Sequence, residues 1–285
     1  MRPHADPGGS SGAPAPSAPG AVCPRSPTIR ILHVIASLAE RTGGPAKAAL
    51  EMARAVRRRG HEVAIYTTDR GLEPDAVPPA GEPVQRDGVE IRTYPQQSPR
   101  ILATSWGLAR ALEERVPSVD LVHIHSLYLF HVWAAARACR RHGVPYIIRP
   151  HGTLDPYIWK RHRLRKYLIE RLFQNRVLRE AAAIHYTAED ERTLAEPYAG
   201  GAPGVIVPNG LELTDYARLP PAGSFRRLHP EIGGRRIVLF LGRLNFKKGL
   251  DLLTRATALK PPININVTIS TKTIVNSRTL AESLT

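Results

Sequence analysis

The sequence predicts an α/β protein: a doubly wound parallel sheet, followed by the first βα unit of a second such sheet. Three observations carry the prediction. From residue 29 onward, short apolar runs alternate with segments of helical period, as expected where helices cover both faces of a parallel sheet. The apolar runs are almost uninterrupted, which marks strands buried on both sides. Glycines and prolines fall where one kind of segment gives way to the next. With 285 residues, 42% of them hydrophobic, the chain holds enough apolar side chain for a sizeable core, and its formal net charge is +15.

Residues 1–28 are rich in Pro, Gly, Ser and Ala and cannot offset the entropy cost of ordering, so they read as a disordered tail. Gly8-Gly9-Ser10-Ser11-Gly12 matches the G-x-S-x-G nucleophile pattern by letter, but lacks the preceding strand and following helix that the motif requires. Ile29–Ser37 reads as the first strand, and a loop closes on Gly43-Gly44-Pro45. A helix follows, with Ala46, Ala49, Leu50, Ala53 and Val56 on one face and Lys47, Glu51, Arg54 and Arg58 on the other. Gly60 ends it. Further strands are expected at Glu62–Thr68, Val89–Tyr94, Leu121–His125, Pro145–Arg149, Ala183–Tyr186 and Val205–Val207. Helices are expected near 100–115, 129–141, 155–181 and 189–196, and the Pro-rich stretch from Gly71 to Pro83 reads as a surface loop. The first domain therefore spans 29–210.

Residues 211–234 lose this periodicity and read as a linker. A new unit occupies 235–260: a strand at Arg236–Leu241, the turn Gly242–Gly249, and a helix from Leu250 to Leu259. Residues 261–285 shift to Asn, Thr and Ile and form an atypical tail, read as foreign to the preceding pattern. In it Ile263, Ile265, Val267 and Ile269 alternate with polar residues, which leaves an added strand as the other reading.

Three places carry chemistry, each at the carboxyl end of an expected strand, where open α/β sheets bind ligands. Gly43 and Gly44 precede a helix start, where small residues let backbone N–H groups approach an anion. His151 sits in a Pro-His-Gly turn after a buried strand, and His125 ends the preceding strand; such a histidine can bond a substrate hydroxyl or share a developing charge. Arg243 and Lys248 flank a turn before a helix, an arrangement suited to a diphosphate. The two cysteines, Cys23 and Cys139, are far apart and show no metal-ligand spacing, so no metal site is expected and a reducing compartment fits.

Taken in order, GGPAKAALEMARAVRRRGHEV, DLVHIHS, RPHG, IVPNGLE and FLGRLNFKKGLDLL resemble the glycosyltransferases of family 4, over residues 29–259. The resemblance implies the GT-B fold of two facing Rossmann-like domains. It also implies metal-independent, retaining transfer of a sugar from a nucleotide diphosphate sugar to a hydroxyl acceptor. It casts 29–210 as the acceptor-side domain and 235–260 as the start of the donor-binding domain, with no cofactor beyond the donor substrate. Gly43 and Gly44 would line the donor diphosphate or the acceptor side of the cleft, His151 would contact the transferred sugar with His125 a second candidate, and Arg243 and Lys248 would neutralise the leaving group. The setting implied is cell-surface polysaccharide or lipid-linked glycan synthesis, with a glycan or lipid-linked acceptor.

The family's donor domain carries two glutamates eight positions apart, whereas after Lys260 only Glu282 is acidic. The chain as written is therefore expected to be a truncated form, inactive by itself. Its alternative role is a basic membrane-surface binding module.

Residues 160–180 hold eight Lys and Arg against two Glu, with Leu164, Tyr167, Leu168 and Leu172 between the cations. Lys160, Arg161, Arg163, Arg165 and Lys166 are candidates for contact with an anionic membrane surface. The other reading is a solvated helix whose leucines pack on the sheet. Nucleic acid is not an expected partner: no recognised binding motif occurs and only 6% of residues are aromatic. Without an 18-residue apolar run or a signal-peptide h-region, the expected location is cytoplasmic, at most peripheral at the inner face of the membrane.

Overall fold

The computed structural model describes residues 27–156, 163–210, 212–213, 217–234, 237–241, 248–258, 264–268 and 274–275. Eight strands form the main sheet: β1 (Arg30–Val34), β2 (Glu62–Thr68), β3 (Pro83–Arg86), β4 (Val89–Tyr94), β5 (Leu121–His125), β6 (Tyr146–Arg149), β7 (Ala183–Tyr186) and β8 (Gly204–Ile206). Their order is β3-β4-β2-β1-β5-β6-β7-β8, and every pairing is parallel except β3 with β4. The doubly wound α/β sheet expected from the sequence is present.

Helix α1 (Gly44–Arg58) buries Ala46, Ala49, Leu50 and Ala53 on one face of the sheet, against Ile35, Val63, Ile65, Val89 and Ile91. On the opposite face α2 (Trp106–Arg115) and α3 (Phe130–His142) pack over Leu32, Val34, Val122, Ile124, Ile148 and Ile184. The Ser105 side chain caps α2 by accepting from the Leu108 N–H at 3.3 Å. Fully burying a leucine contributes about 1.5–3 kcal/mol, and Leu32, Leu108 and Leu112 are completely buried. The sheet's central strands are anchored from both sides.

Next come α4 (Arg163–Ile169), a π-helical segment (Glu170–Gln174) and α5 (Asn175–Arg179), then α6 (Glu189–Ala195) after β7. Three readings are refined. The stretch read as a loop ends in the edge strand β3, whose residues are all exposed and so lack the apolar run of a central strand. The linker contains a short helix, α7 (Ser224–Leu228), and a 3-10 turn (Pro230–Ile232). In the second unit β9 (Ile237–Leu241) is followed by α8 (Leu250–Ala258), and β10 (Asn264–Thr268) then pairs parallel to β9. β10 also pairs antiparallel to β11 (Ile274–Val275).

Candidate functional site

The strand order reverses between β1 and β5: β2 and β4 lie on one side, β6 to β8 on the other. Open α/β sheets bind ligands at the carboxyl edge of such a reversal, where the loops leaving the two central strands diverge. Gly43 and Gly44 follow β1, Ser126 to Tyr128 follow β5, and His151 follows β6.

Gly43 links a 3-10 turn (Glu40–Thr42) to α1 with φ 81° and ψ −143°, a conformation that requires glycine. Gly44 opens the helix, and a Cβ placed on it would meet no atom within 4 Å. The first-turn N–H groups of a helix have no intrahelical acceptor, and the helix dipole favours an anion beside them.

On β5 the two-residue period puts His123 and His125 on one face. His33 of β1 lies beside His123, and Arg149 of β6 beside His125. His33, His123, His125 and His185 are all buried, and their rings form a stacked array that extends to His151, with neighbouring centroids 4.6 Å apart for His123 and His125 and 5.3 Å for His125 and His151. A hydrogen-bonded chain runs through it: His33 Nδ1 to His125 Nε2 at 2.9 Å, then His125 Nδ1 to His151 Nε2 at 3.1 Å.

Burial, reinforced by the Arg149 charge, lowers the basicity of His33 to a pKa of about 4 and that of His151 to about 3. Burial also holds His125 well below its ordinary value, followed by the charges of its neighbours. The imidazoles are therefore neutral near pH 7, each with one N–H and one lone pair. His185 Nε2 donates to the Val207 carbonyl at 2.9 Å, so its Nδ1 accepts from His123 Nε2 at 3.4 Å. In the chain ending at His151 the N–H groups all point one way. The free Nδ1 of His151 is either a donor or an acceptor according to that direction, so the tautomer of His33 and that of His151 are coupled.

The flanking turns are held firmly. His151 has a left-handed backbone (φ 53°), and so do Ser126 and Tyr128; such conformations cost about 1–3 kcal/mol each and persist only where their surroundings fix them. Glu191 of α6 accepts from Gly152 N at 2.9 Å and from both Thr187 N and Thr187 Oγ1, tying the turn after β6 to the turn after β7. From the π-helical segment, Gln174 Oε1 accepts from Tyr128 N at 2.9 Å, while Tyr128 Oη donates to Glu170 at 2.8 Å.

Ring nitrogens of His33, His123 and His125 lie within 4.8 Å of one another, a separation compatible with a shared metal ion. The positive charge of Arg149, felt by all three rings, opposes a cation there.

Residues 43–210, more than half of the chain, match the family model described as the glycosyl transferase 4-like domain. The chain belongs to this family. The glycosyl transferase 4-like chain is also similar to solved structures. One is HepE of Anabaena in complex with UDP and glucose, with 18% identity and a TM-score of 0.58, covering 84% of this chain and 60% of HepE. Another is sucrose-phosphate synthase of Thermosynechococcus elongatus, with 15% identity and a TM-score of 0.63, covering 90% of this chain and 67% of that one. A third, described as trehalose-6-phosphate from E. coli bound with UDP-2-fluoro glucose, has 15% identity and a TM-score of 0.53, covering 90% and 68%. These likenesses agree with the GT-B-like fold expected. The chain spans about 60% of the length of HepE. No curated protein matches the chain in sequence.

Within this glycosyl transferase 4-like domain, Gly43, Gly44, His125 and His151 all lie toward the carboxyl edge of the sheet. His125 is fully buried and hydrogen-bonds the His151 ring. Lys248 is exposed just ahead of α8, while Arg243 lies outside the described residues. Lys160 and Arg161 lie outside them too, and Arg163 and Arg165 fall on α4. Lys166 corrects an expectation: it is 7% exposed, with its ammonium 5.2 Å from the centre of the Tyr128 ring, and is no surface cation. The sequence reading also missed His33, His123, His185 and Arg149. Their signal was a polar residue inside an otherwise apolar strand, which becomes a cluster only once the strand order is known.

Proposed function

We propose that the protein is a retaining glycosyltransferase that moves a sugar from a nucleotide diphosphate sugar to a hydroxyl acceptor. The domain of residues 29–210 supplies the acceptor side. The observation that supports this reading is that a glycine-capped helix start and a neutral imidazole follow strands at the same edge of the sheet. The bond from the sugar's anomeric carbon to the diphosphate oxygen breaks, a bond to the acceptor oxygen forms, and the acceptor proton leaves with the diphosphate or solvent. Negative charge grows on the diphosphate, where the first-turn N–H groups after Gly43, together with Arg243 and Lys248, would stabilise it. His151 would hydrogen-bond a hydroxyl of the transferred sugar; being neutral, it orients the sugar without adding charge. That HepE was crystallised with UDP and glucose supports a nucleotide sugar as donor.

No helix among the described residues is long and apolar enough to cross a membrane. Peripheral contact is the accompanying proposal, because Tyr167, Leu168 and Leu172 are exposed beside Arg171 and do not pack on the sheet. A lipid-linked or cell-surface glycan acceptor fits such a location.

The test is release of nucleoside diphosphate from a panel of nucleotide sugars with glycan and lipid-linked acceptors. The chain is expected to bind nucleotide sugar saturably even where it does not turn over, and any turnover it shows should fall about 100-fold or more in His151→Ala, the usual scale for losing a positioned polar group. Absence of both turnover and saturable nucleotide-sugar binding would overturn the reading.

A further inference from the structure

Arg149, the last residue of β6, is 1% exposed. Its guanidinium donates one hydrogen bond, from Nη2 to Asn209 Oδ1 at 2.5 Å, while Nε and Nη1 have no partner. The groups around it are bases: His33 from β1, His123 and His125 from β5, His151 from the following turn and His185 from β7, all held neutral by burial and by its charge. The carboxylate that Arg149 senses, Glu191, has both oxygens engaged by Gly152 and Thr187.

Arginine cannot shed its proton in a protein, and an uncompensated buried charge is strongly destabilising. Natural interiors pair such a group with an anion, and no residue of the described structure does so for Arg149. An opening lies beyond its partner Asn209, at a groove that Arg149 itself does not line. Asn209 and His185 line a groove of about 780 Å³ whose other wall includes Gly44 and Lys47 of α1.

We propose that Arg149, with Asn209 and His185 beside it, is a binding site for an oxyanion, either a carboxylate or a phosphate group, that enters through this groove. Unbonded N–H groups of a guanidinium suit oxygen anions, and neutral imidazoles can donate or accept alongside them. The site does not depend on glycosyl transfer, so the two proposals fail separately.

The test is the thermal midpoint of the purified chain with inorganic phosphate, with glucuronate, and with glucose or sodium chloride at matched ionic strength. At about 100 times the dissociation constant, a bound anion should raise the midpoint by roughly 5 °C. Glucose and chloride should leave it unchanged. A response to phosphate alone assigns a phosphorylated ligand, and one to glucuronate alone a carboxylate; either supports the site. Arg149→Met should lose the response. Asn209→Asp places a carboxylate against Nη2 and should raise the midpoint without ligand while abolishing the anion response; it decides the matter if Arg149→Met does not fold. The proposal is overturned if the wild-type chain shows no response, or if the response persists in Asn209→Asp and in any Arg149→Met that folds.

Discussion

His151 holds a left-handed backbone that glycine would adopt at lower cost, and keeps it because Glu191 grips the next residue while His125 bonds its ring. The two glycines after β1 divide their work in a similar way. Gly43 is needed for its conformation, since a side chain at φ 81° and ψ −143° is strained whatever the space around it. Gly44 stands in open space, so any restriction on its size would come from a ligand. Gly43→Ala should therefore lower unfolding free energy by about 1–3 kcal/mol. Gly44→Ala should leave it unchanged or slightly raised, yet weaken nucleotide-sugar binding. Urea titration and isothermal calorimetry on the two variants check this; undiminished binding by Gly44→Ala would remove the helix start from the donor site.

At the scale of elements, the helical segment from 163 to 179 does two jobs with two faces. Ile169, Gln174, Val177 and Leu178 are buried, and Gln174 and Glu170 hold the loop after β5. The π-helical turn between α4 and α5 is a local irregularity of a kind often found near functional sites. The other face leaves Leu168 52% and Leu172 78% exposed, so these leucines do not pack on the sheet. Vesicles with anionic lipid should co-sediment the protein in a salt-sensitive manner. Leu168→Asp with Leu172→Asp should reduce that binding several-fold at an unchanged thermal midpoint, because neither side chain belongs to the core. Equal binding to neutral vesicles would count against an electrostatic membrane contact. The sequence showed this helix as basic and leucine-rich but could not say which face turned inward: Lys166 and the apolar positions share a turn, and the choice depends on where Tyr128 sits.

At the scale of the molecule, the buried histidines make stability depend on pH. Their folded-state pKa values are depressed, so below about 6.5 the unfolded chain binds more protons than the folded one. The stabilisation is complete above that pH and is lost as pH falls toward about 4 for His33 and about 3 for His151. At about 1.4 kcal/mol per pKa unit, His33 alone contributes on the order of 3 kcal/mol across this window. Urea midpoints measured from pH 7.5 to 4 should decline steadily below 6.5; a flat profile would contradict neutral burial of the cluster.

Local pattern in the sequence determined most of the architecture. The strands Glu62–Thr68, Val89–Tyr94, Leu121–His125 and Ala183–Tyr186 have the limits expected, because apolar runs between glycines and amphipathic helices leave little freedom. Gly43, Gly44 and His151 were legible because turns at strand ends are marked by residue type. Only the tertiary structure decided that His33, His125 and His151 form one hydrogen-bonded chain, that His125 lies in the interior, and that Arg149 carries a buried charge with no carboxylate bonded to it among the described residues. Those facts depend on which strands are neighbours and in what register, and strand order is a non-local property that no stretch of sequence contains.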